Sequence, residues 1–283
     1  MDIEQARTFL AIAAHGSFLE AARRLYVTQS TVSARIQKLE EEFSAQLFVR
    51  NRSGARLTPA GRRFLQHAKT LVMTVEQARH DVGLPSRFRA SLRVGGRIAL
   101  WEDFLPNWVG RMRRVAPDVS IRSDIGFEED LMRRLVEGTL DIGLMYTPSH
   151  APGLIVEHLF DETLVMVSSD PAARWPGDDY VFVEWGPGFY ARHRESFPDF
   201  EISAQVVNIG WLGIQLIMAN GGSCYLPIRM ARSFIQQERL FRVTNAPEFP
   251  LPAYMVFSRR AEGDAIKFGL EQLRVLASEE QNA

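Results

Sequence analysis

Apolar residues in the first 45 positions recur at the spacing of three short helices. A first helix is predicted from Ile3, Ala6, Phe9, Leu10 and Ala13. Gly16 marks its end, and Ser17 is a hydroxyl that can cap the next helix. The second helix has Ala21, Ala22 and Leu25 on its apolar side, and the third has Val32, Ile36, Leu39 and Phe43. Because only Tyr26 and Val27 separate the second helix from the capped third, the pattern predicts a helix-turn-helix.

Small polar and basic side chains cover the other face of the third helix. The candidates for base contact are Gln29, Ser30, Thr31, Ser33 and Arg35. In a helix-turn-helix the N-terminal residues of the second helix meet base edges in the major groove. Glutamine bonds adenine bidentately, arginine bonds guanine, and hydroxyls serve either role. The face is therefore predicted to read DNA, and the alternative is an ordinary solvated helix face.

A basic β-hairpin is predicted after the third helix, between Phe48 and Thr58, with its turn at Ser53-Gly54. Arginines on its arms suit phosphate or minor-groove contact. The predicted phosphate and wing contacts are Thr28, Lys38, Arg50, Arg52 and Arg56. The alternative is an arginine-rich surface loop.

A long helix follows the hairpin. Thr58 can cap it, and Pro59 fits its first turn. Its apolar positions alternate at spacings of four and three, which is a heptad seam: Phe64, Ala68, Leu71, Val75, Ala78 and Val82. The seam predicts a dimerising helix over 59–82, and the alternative is a helix packed on its own domain. The segment GLPSRFR breaks the helix and predicts a hinge over 83–90.

Strands and helices alternate from Ser91 onward, which predicts βαβ units on a mostly parallel sheet. LRVGG, VSIRSDI and LDIGLMY are predicted as strands in the first half. TLVMVSS, YVFVEW, SAQVVNIG and SCYLP are predicted as strands in the second. The helices between them include 212–220, and a last helix is expected over about 261–276.

Charge divides the chain in the same way as the elements do. Residues 1–90 hold 14 Lys and Arg against 8 Asp and Glu, whereas the whole 283-residue chain has a formal net charge of −1. The first 90 residues are therefore net +6 and the remainder −7, as expected of a DNA-binding head on an acidic body. Cys224 is the single cysteine, which excludes an intramolecular disulfide and suits the cytoplasm. A redox role for it would need a partner thiol from elsewhere, and a small buried apolar residue is the plainer interpretation.

Motifs for catalysis, metals or nucleotides are missing from the sequence. It contains no GxxxxGK[ST] loop, no HExxH and no CxxC. Carboxylate pairs such as Glu128-Glu129 and Asp178-Asp179 are interpreted as solvated charges in loops or at helix starts. No uninterrupted apolar run reaches about 18 residues. The expectations are a protein that is not an enzyme, with no catalytic residue, no cofactor, no metal and no membrane contact.

The segment HGSFLEAARRLYVTQSTVSARIQKLEEEFSAQLFVR, followed by RLTPAGRRFL, resembles the winged helix-turn-helix of the bacterial LysR-type transcriptional regulators. Family members often carry a basic residue in place of Ala34, and often Pro or Ser-Ala in place of Ser30-Thr31. The resemblance implies dimerisation through the long helix and pairing of dimers into a tetramer. It also implies recognition of an interrupted palindrome in double-stranded promoter DNA and action on RNA polymerase.

A looser resemblance covers the remainder of the chain, through LRVGG, FLPNWVGRMRRVAPDVSI, LVEGTLDIGLM and ANGGSCYLP. It implies a two-lobed α/β effector domain similar to a type 2 periplasmic binding protein, after an all-α winged helix-turn-helix over 1–58. The effector domain is expected over 91–283, with lobe I at about 91–160 and 260–283 and lobe II at about 161–259. LWEDFLPNWVGR, VEWGPGF and CYLP are also similar to a subgroup that includes regulators of flagellar genes.

Ligands of open α/β sheets bind outside the carboxyl ends of the strands. With the family resemblance, this gives a predicted effector site lined by Arg97, Ile98, Ala99, Leu100, Phe127, Tyr146 and Asn208. Arg97 can pair with an anion, and the aromatic side chains, with Trp101, suggest an apolar or aromatic ligand. The alternative is a collapsed cleft filled by core side chains. The expected function is a LysR-type regulator modulated by a small molecule, and the alternative is a ligand-independent repressor whose α/β domain only oligomerises.

Overall fold

The computed structural model describes residues 1–51, 54–173, 177, 179–198, 200, 205–261 and 263–281. The chain forms two compact units, Met1–Pro85 with Glu137–Thr139, and Ser86–Val136 with Leu140–Ala283. The first division falls inside the segment 83–90 that the sequence predicts as a hinge. In the part of the chain described, no helix has the length and apolar character needed to span a bilayer.

The first unit contains the helix-turn-helix, the hairpin and the long helix that the sequence predicts. Its elements are α1 Ile3–His15, α2 Phe18–Arg24, α3 Gln29–Glu42, β1 Phe48–Asn51, β2 Gly54–Leu57 and α4 Pro59–Val82. Gly16 ends α1 in the left-handed conformation with a φ of 63°, and the Ser17 hydroxyl accepts the Glu20 N–H at 3.3 Å. The Thr58 hydroxyl accepts the Gly61 N–H at 2.9 Å in the first turn of α4. Local capping therefore sets these boundaries.

The core of this unit is built on phenylalanines from α1, the hairpin and α4. The Phe9 ring lies 5.0 Å from that of Phe48 and 4.9 Å from that of Phe64, centroid to centroid. Phe64 and Ala68 are 7% and 0% exposed, and Leu71 packs against the same cluster. The expectation that the whole seam of α4 faces a partner helix is corrected here. Its first half is buried in the core of its own domain, because α4 completes a core that the three short helices leave open.

The hairpin is fixed against the helix-turn-helix by polar contacts at both strands. On α3, Glu40 Oε1 accepts the N–H groups of Leu47 and Phe48 at 2.7 and 3.1 Å. On the other strand, the Ala55 N–H donates to the Gly16 carbonyl at 2.7 Å. Gly54 has a φ of 122°, and a Cβ there would lie 2.3 Å from the Gly16 oxygen, so the close approach requires glycine. The wing therefore has a defined position relative to α3.

The second unit alternates strands and helices. Its first elements are β3 Ala90–Gly96, α5 Ile98–Trp101, α6 Phe104–Val115, β4 Val119–Ile125, α7 Glu128–Glu137, β5 Ile142–Met145 and β6 Leu154–Ser168. They are followed by β7 Val181–Val183, α8 Pro187–Ser196, β8 Gln205–Val207, α9 Gly210–Asn220, β9 Ser223–Pro227, α10 Ile228–Gln236, β10 Phe241–Arg242, β11 Phe249–Ser258 and α11 Asp264–Gln281.

The main sheet has the order β10-β6-β11-β5-β3-β4, and β9 also pairs with β6. Strand β3 is parallel to β4 and β5, whereas the pairs β5/β11, β11/β6, β6/β9 and β6/β10 are antiparallel. The prediction of a mostly parallel sheet was therefore wrong for the main sheet. The difference comes from β6 and β11, two long strands whose full extent the sequence pattern did not reveal.

These two strands join the lobes of the α/β domain. Lobe I contains β3 to β5, α5 to α7 and α11, and lobe II contains β7 to β9 and α8 to α10. The register of β6 and β11 shifts between Ala253 and Tyr254. Further along β6, from Leu164 onward, the strand pairs with β9. Lobe I is centred on Trp108, which is fully buried and donates its indole N–H to the Gly269 carbonyl at 3.0 Å.

Lobe II has an aromatic core around a histidine of α8. His193 is 3% exposed, and its ring stacks on that of Tyr180 at 5.6 Å between centroids. Further rings within 6.3 Å of it include those of Phe182, Phe189, Phe197, Phe200, Tyr225 and Phe249. Burial lowers the pKa of His193 to about 4. The imidazole is therefore neutral at physiological pH and acts as one more ring of the core.

Candidate DNA interface and effector cleft

The N-terminus of α3 presents a group of hydroxyls that are ordered by one capping residue. The Thr28 Oγ1 atom accepts the Thr31 N–H at 3.2 Å and lies 2.8 Å from the hydroxyl oxygens of both Ser30 and Thr31. Gln29 and Ser30 are exposed, whereas Thr31 and Ser33 are partly exposed. Four of the five predicted base-contact residues thus lie on the accessible side of this helix, beside Val32 and Ile36, which are buried.

Arg35, the fifth residue predicted as a base contact, differs from the other four in that its side chain contacts α1. Its Nη1 atom lies 3.3 Å from Glu4 Oε2 and donates to the Thr8 hydroxyl at 3.3 Å. The Arg35 side chain therefore lies against α1, because α1 offers an acceptor and a carboxylate within its reach. Its role there is to tie α3 to α1.

The predicted phosphate contacts flank the α3 face. Thr28, Lys38 and Arg56 are exposed, and Arg56 belongs to β2 of the wing. Arg50 lies in β1, but its side chain and the whole of Arg52 fall outside the described residues.

The turn before α3 adds an aromatic residue that the sequence did not single out as a site. Tyr26 is 96% exposed and has a φ of 54°. Its signal in the sequence is an aromatic residue in a tight turn, where small polar residues are usual. The turn therefore presents a hydroxyl-bearing ring next to the Thr28 cap.

The second half of the α4 seam is accessible, unlike the first. Val75 is partly exposed, Ala78 is exposed and Val82 is 87% exposed. An exposed apolar row at heptad spacing is the surface that a partner helix covers in a coiled coil.

Arg97, Phe127 and the backbone of Asn208 meet where lobe I contacts lobe II. The Arg97 Nη2 atom donates to the Asn208 carbonyl at 3.1 Å, and its Cζ atom lies 4.6 Å from the centroid of the Phe127 ring. Its Nη1 atom is 3.4 Å from Glu128 Oε2. The guanidinium is thus already paired with a carboxylate, although the sequence suggested that it was available to an anionic ligand. Glu128 begins α7 as expected, but it is an ion-pair partner and not merely a solvated charge.

The other predicted cleft residues lie deeper. Ala99 and Leu100 are 1% and 0% exposed and belong to the core, so α5 turns these side chains inward, whereas Ile98 is partly exposed. Tyr146 is 3% exposed, and its hydroxyl donates to Glu162 Oε1 at 2.8 Å. Trp101 donates its indole N–H to the Asp124 carbonyl at 3.1 Å within lobe I. The side chains of Arg97 and Phe127 and the backbone of Asn208 are therefore the part of the predicted site that the structure brings together between the lobes.

Comparison with known proteins identifies both units. Residues 3–62 match the bacterial regulatory helix-turn-helix model of the LysR family, and residues 86–274 match the LysR substrate binding domain. The chain belongs to the LysR family. This LysR-family protein is a DNA-binding transcriptional regulator with an effector-binding domain.

Similar proteins extend over the whole of this regulator. The HTH-type transcriptional regulator HdfR of Escherichia coli O45:K1 (strain S88) is 30% identical over 280 residues, covering 98% of this chain and 99% of HdfR. DarR from Vibrio fischeri, solved in complex with DNA, is 19% identical with a TM-score of 0.58, covering 98% of this chain and 99% of DarR. LysG from Corynebacterium glutamicum, solved with bound effector Arg, is 19% identical with a TM-score of 0.59, covering 99% of each chain. The two structures share the fold of this regulator.

Sequence reasoning missed two buried charges of this LysR-family chain, Glu162 on β6 and Arg229 on α10. Their side chains are 3% and 5% exposed, and Arg229 Nη2 lies 2.5 Å from Glu162 Oε1. Burial raises the pKa of Glu162, and the adjacent guanidinium opposes that rise. The available signal was a glutamate beside the apolar run TLVMVS and an arginine two positions after the buried strand SCYLP. Charges in such places are rare unless they are paired.

The single cysteine of this regulator lies in β9 at the centre of lobe II. Cys224 is 0% exposed, and burial raises the pKa of its thiol. A protonated, inaccessible thiol is a poor nucleophile. This placement agrees with the interpretation of Cys224 as a small buried residue.

Proposed function

We propose that this regulator binds an interrupted palindrome in bacterial promoters as a dimer, with α3 of each subunit in a major groove. The observation that carries the proposal is the exposed polar N-terminus of α3, where Gln29 and Ser30 lie beside Thr28, which caps the helix. The net charge of +6 over residues 1–90 supports it, because phosphate contacts supply much of the affinity of such proteins. Two-fold symmetry of a dimer would be mirrored in the target.

The second half of α4 is the proposed dimer contact, through Val75, Ala78 and Val82. By family resemblance, the proposal extends to the pairing of dimers into a tetramer. It also extends to action on RNA polymerase at the promoter. Its HdfR relatives are named transcriptional regulators, which supports a cytoplasmic regulator that is not an enzyme. Flagellar genes are proposed among the first targets to test, because the sequence resembles the subgroup that includes their regulators.

The α/β domain is proposed to bind a small-molecule effector at the cleft bordered by Arg97, Phe127 and Asn208. LysG, which shares the fold, was solved with bound effector Arg, and this supports an effector-binding role for the present protein. The alternative is a repressor whose α/β domain only oligomerises. A ligand that raises the thermal stability of the α/β domain and also changes DNA affinity favours the first function, because both effects draw on one linked equilibrium.

The testing experiment is the selection of genomic DNA fragments by the purified full-length protein at near-physiological salt, followed by sequencing. We expect enrichment of an interrupted palindrome. The functions of the genes next to the enriched sites then indicate which small molecules to test as effectors. A folded protein that enriches no sequence, with or without added cell extract, would contradict the proposal.

Gln29→Ala is expected to relax base preference at one position of each half-site. Loss of a bidentate base contact costs about 1–3 kcal/mol of discrimination. The measurement is the affinity for the selected site and for single-base variants of it, by fluorescence anisotropy. Gln37→Ala is the matched control, since Gln37 is exposed further along α3 and bonds Glu41. Equal weakening on all sequences would show that Gln29 does not read a base.

Arg56→Ala is expected to weaken binding to every DNA sequence by a similar factor. Removing one phosphate contact should lower the slope of log affinity against log salt by roughly one unit. The slope is measured by titration with specific and random duplexes over a range of salt concentrations. Arg24→Ala, at an exposed arginine of α2 that bonds Glu20, serves as the control. An unchanged slope in the Arg56 variant would remove the wing from the phosphate-contact surface.

A further inference from the structure

The short helix α5 begins the predicted effector cleft, and both of its ends are hydrogen-bonded to lobe II. At its start, Arg97 Nη2 donates to the Asn208 carbonyl at 3.1 Å. At its end, Arg229 Nη1 donates to the Glu102 carbonyl at 2.6 Å, and Nη2 donates to the Ala99 carbonyl at 3.3 Å. These carbonyls belong to the last turn of a four-residue helix and its C-cap. The Ala99 carbonyl also accepts the Glu102 N–H at 3.3 Å, so Arg229 adds a second donor there.

Arg229 is held in place by a second buried contact. Its Nη2 atom also lies 2.5 Å from Glu162 Oε1, the oxygen that accepts the Tyr146 hydroxyl at 2.8 Å. The register of the sheet brings these groups together, because Leu164 pairs with Pro227, two residues from Glu162 and from Arg229 respectively. Glu162 lies on β6, a strand that joins the lobes, and it therefore holds Arg229 of lobe II where the guanidinium reaches lobe I.

The backbone after α5 adopts a conformation that needs such support. Asp103 has a φ of 97°, although it is not a glycine. Residues of this kind persist where surrounding contacts determine their conformation. The contact on the preceding residue is the bond from Arg229 to the Glu102 carbonyl.

We propose that Arg229 is a positioning residue of the effector cleft. It ties α5 of lobe I to lobe II, so that movement of α5 is coupled to a change in the angle between the two lobes. The inference rests on the proposed effector role of the cleft. Arg97, Tyr146, Glu162 and Arg229 form what we term the α5 clamp. A guanidinium fork bonded to two carbonyls and a carboxylate makes strong, directional charge-assisted bonds. Loss of these bonds is expected to widen the range of angles between the lobes.

Arg229→Lys tests the clamp in the full-length protein. Lysine keeps the positive charge beside Glu162, but a single ammonium cannot reproduce the fork that reaches Ala99 and Glu102. We expect backbone amides of α5 to exchange hydrogen about tenfold faster or more, while those of β9 and α11 keep their protection. Arg93→Lys is the matched control, because Arg93 forms a bidentate pair with Asp141 inside lobe I.

A distance measurement between the lobes completes the test. Nitroxides are placed on Arg113→Cys in α6 and Asn220→Cys in α9, both exposed positions, and labelled chains are diluted with unlabelled ones. We expect one narrow distance in the otherwise unchanged protein and in the Arg93→Lys control, and a broader or second distance with Arg229→Lys. Arg97→Lys, which weakens the other end of the clamp, should shift the distance in the same direction and replaces Arg229→Lys if that variant does not fold.

Two outcomes would overturn the clamp. One is a lobe distance in Arg229→Lys that coincides with that of the unchanged protein. The other is faster exchange of α5 to the same extent in the Arg93 control. Neither measurement uses DNA or an effector. A negative result would therefore overturn the clamp alone, whereas the proposed function fails separately if no DNA site is enriched.

Discussion

Ala78→Glu combined with Val82→Glu is expected to convert the dimer into monomers and to remove most of its affinity for the full target. The two positions are the exposed end of the α4 seam, with Val82 87% exposed. Across a two-fold axis the substitutions bring four carboxylates together, and like charges in a coiled-coil interface repel. Two linked half-site contacts gain about 10²- to 10⁴-fold over one through effective concentration. A loss of that size is expected on the palindrome and almost none on a single half-site.

Sedimentation velocity and binding titrations on whole and half sites measure both effects. Thr70→Glu is the matched control, because Thr70 is an exposed position of α4 outside the seam. Phe64 is not a useful substitution here, since its removal would damage the core of the DNA-binding domain. A double variant that stays dimeric and keeps its affinity would place the dimer contact elsewhere in the chain.

The second large expected effect is a loss of folding stability as the pH falls below neutrality, and it arises from the buried His193. The unfolded chain binds a proton at this imidazole near pH 6.5, whereas the folded protein binds it only near pH 4. Between these values the unfolded state holds more protons, so stability falls as the pH is lowered from about 7 toward 4. The shift corresponds to about 3 kcal/mol across that window. Above pH 7 the group makes no contribution to the pH dependence.

His193→Phe should flatten this part of the stability profile, because a phenyl ring suits the surrounding aromatic residues and does not titrate. Urea unfolding of the α/β domain in the full-length protein, from pH 7.5 to 4.5, measures the difference between variant and parent. His67→Gln, at an exposed histidine of α4, is the matched control for removal of an imidazole. Parallel profiles for the parent and His193→Phe would show that the folded protein accommodates the charged imidazole.

Local features of the sequence predicted the first domain well. Helices α2, α3 and α4 begin at capping hydroxyls, and their apolar residues recur at a helical period, so residues close in the chain decide where each one lies. The Thr28 cap and the exposed Gln29 follow from the same local reasoning. The position of Arg35 did not, because its partner Glu4 is 31 residues away and contacts it only after α1 packs on α3.

The α/β domain was predictable in class but not in topology. A parallel β3/β4 pair with an intervening helix has a clear pattern, and β4 was predicted with its observed bounds. Strands β6 and β11 pair across about 90 residues of sequence, and no local pattern specifies such a partner. The cleft shows the same limit: α5 follows β3 as expected, yet only the packed structure shows that Ala99 faces the core and that Arg97 is paired with Glu128.

The burial of Cys224 gives this protein a built-in reporter of unfolding. Because the chain has one thiol and that thiol lies in the centre of lobe II, an alkylating reagent can modify it only when the lobe opens. The rate at which Cys224 is alkylated in the native protein therefore reports how often lobe II opens, and no introduced probe is needed. Mass spectrometry of the intact chain, which gains a single label, would follow those events over time and show whether bound DNA or small molecules slow them.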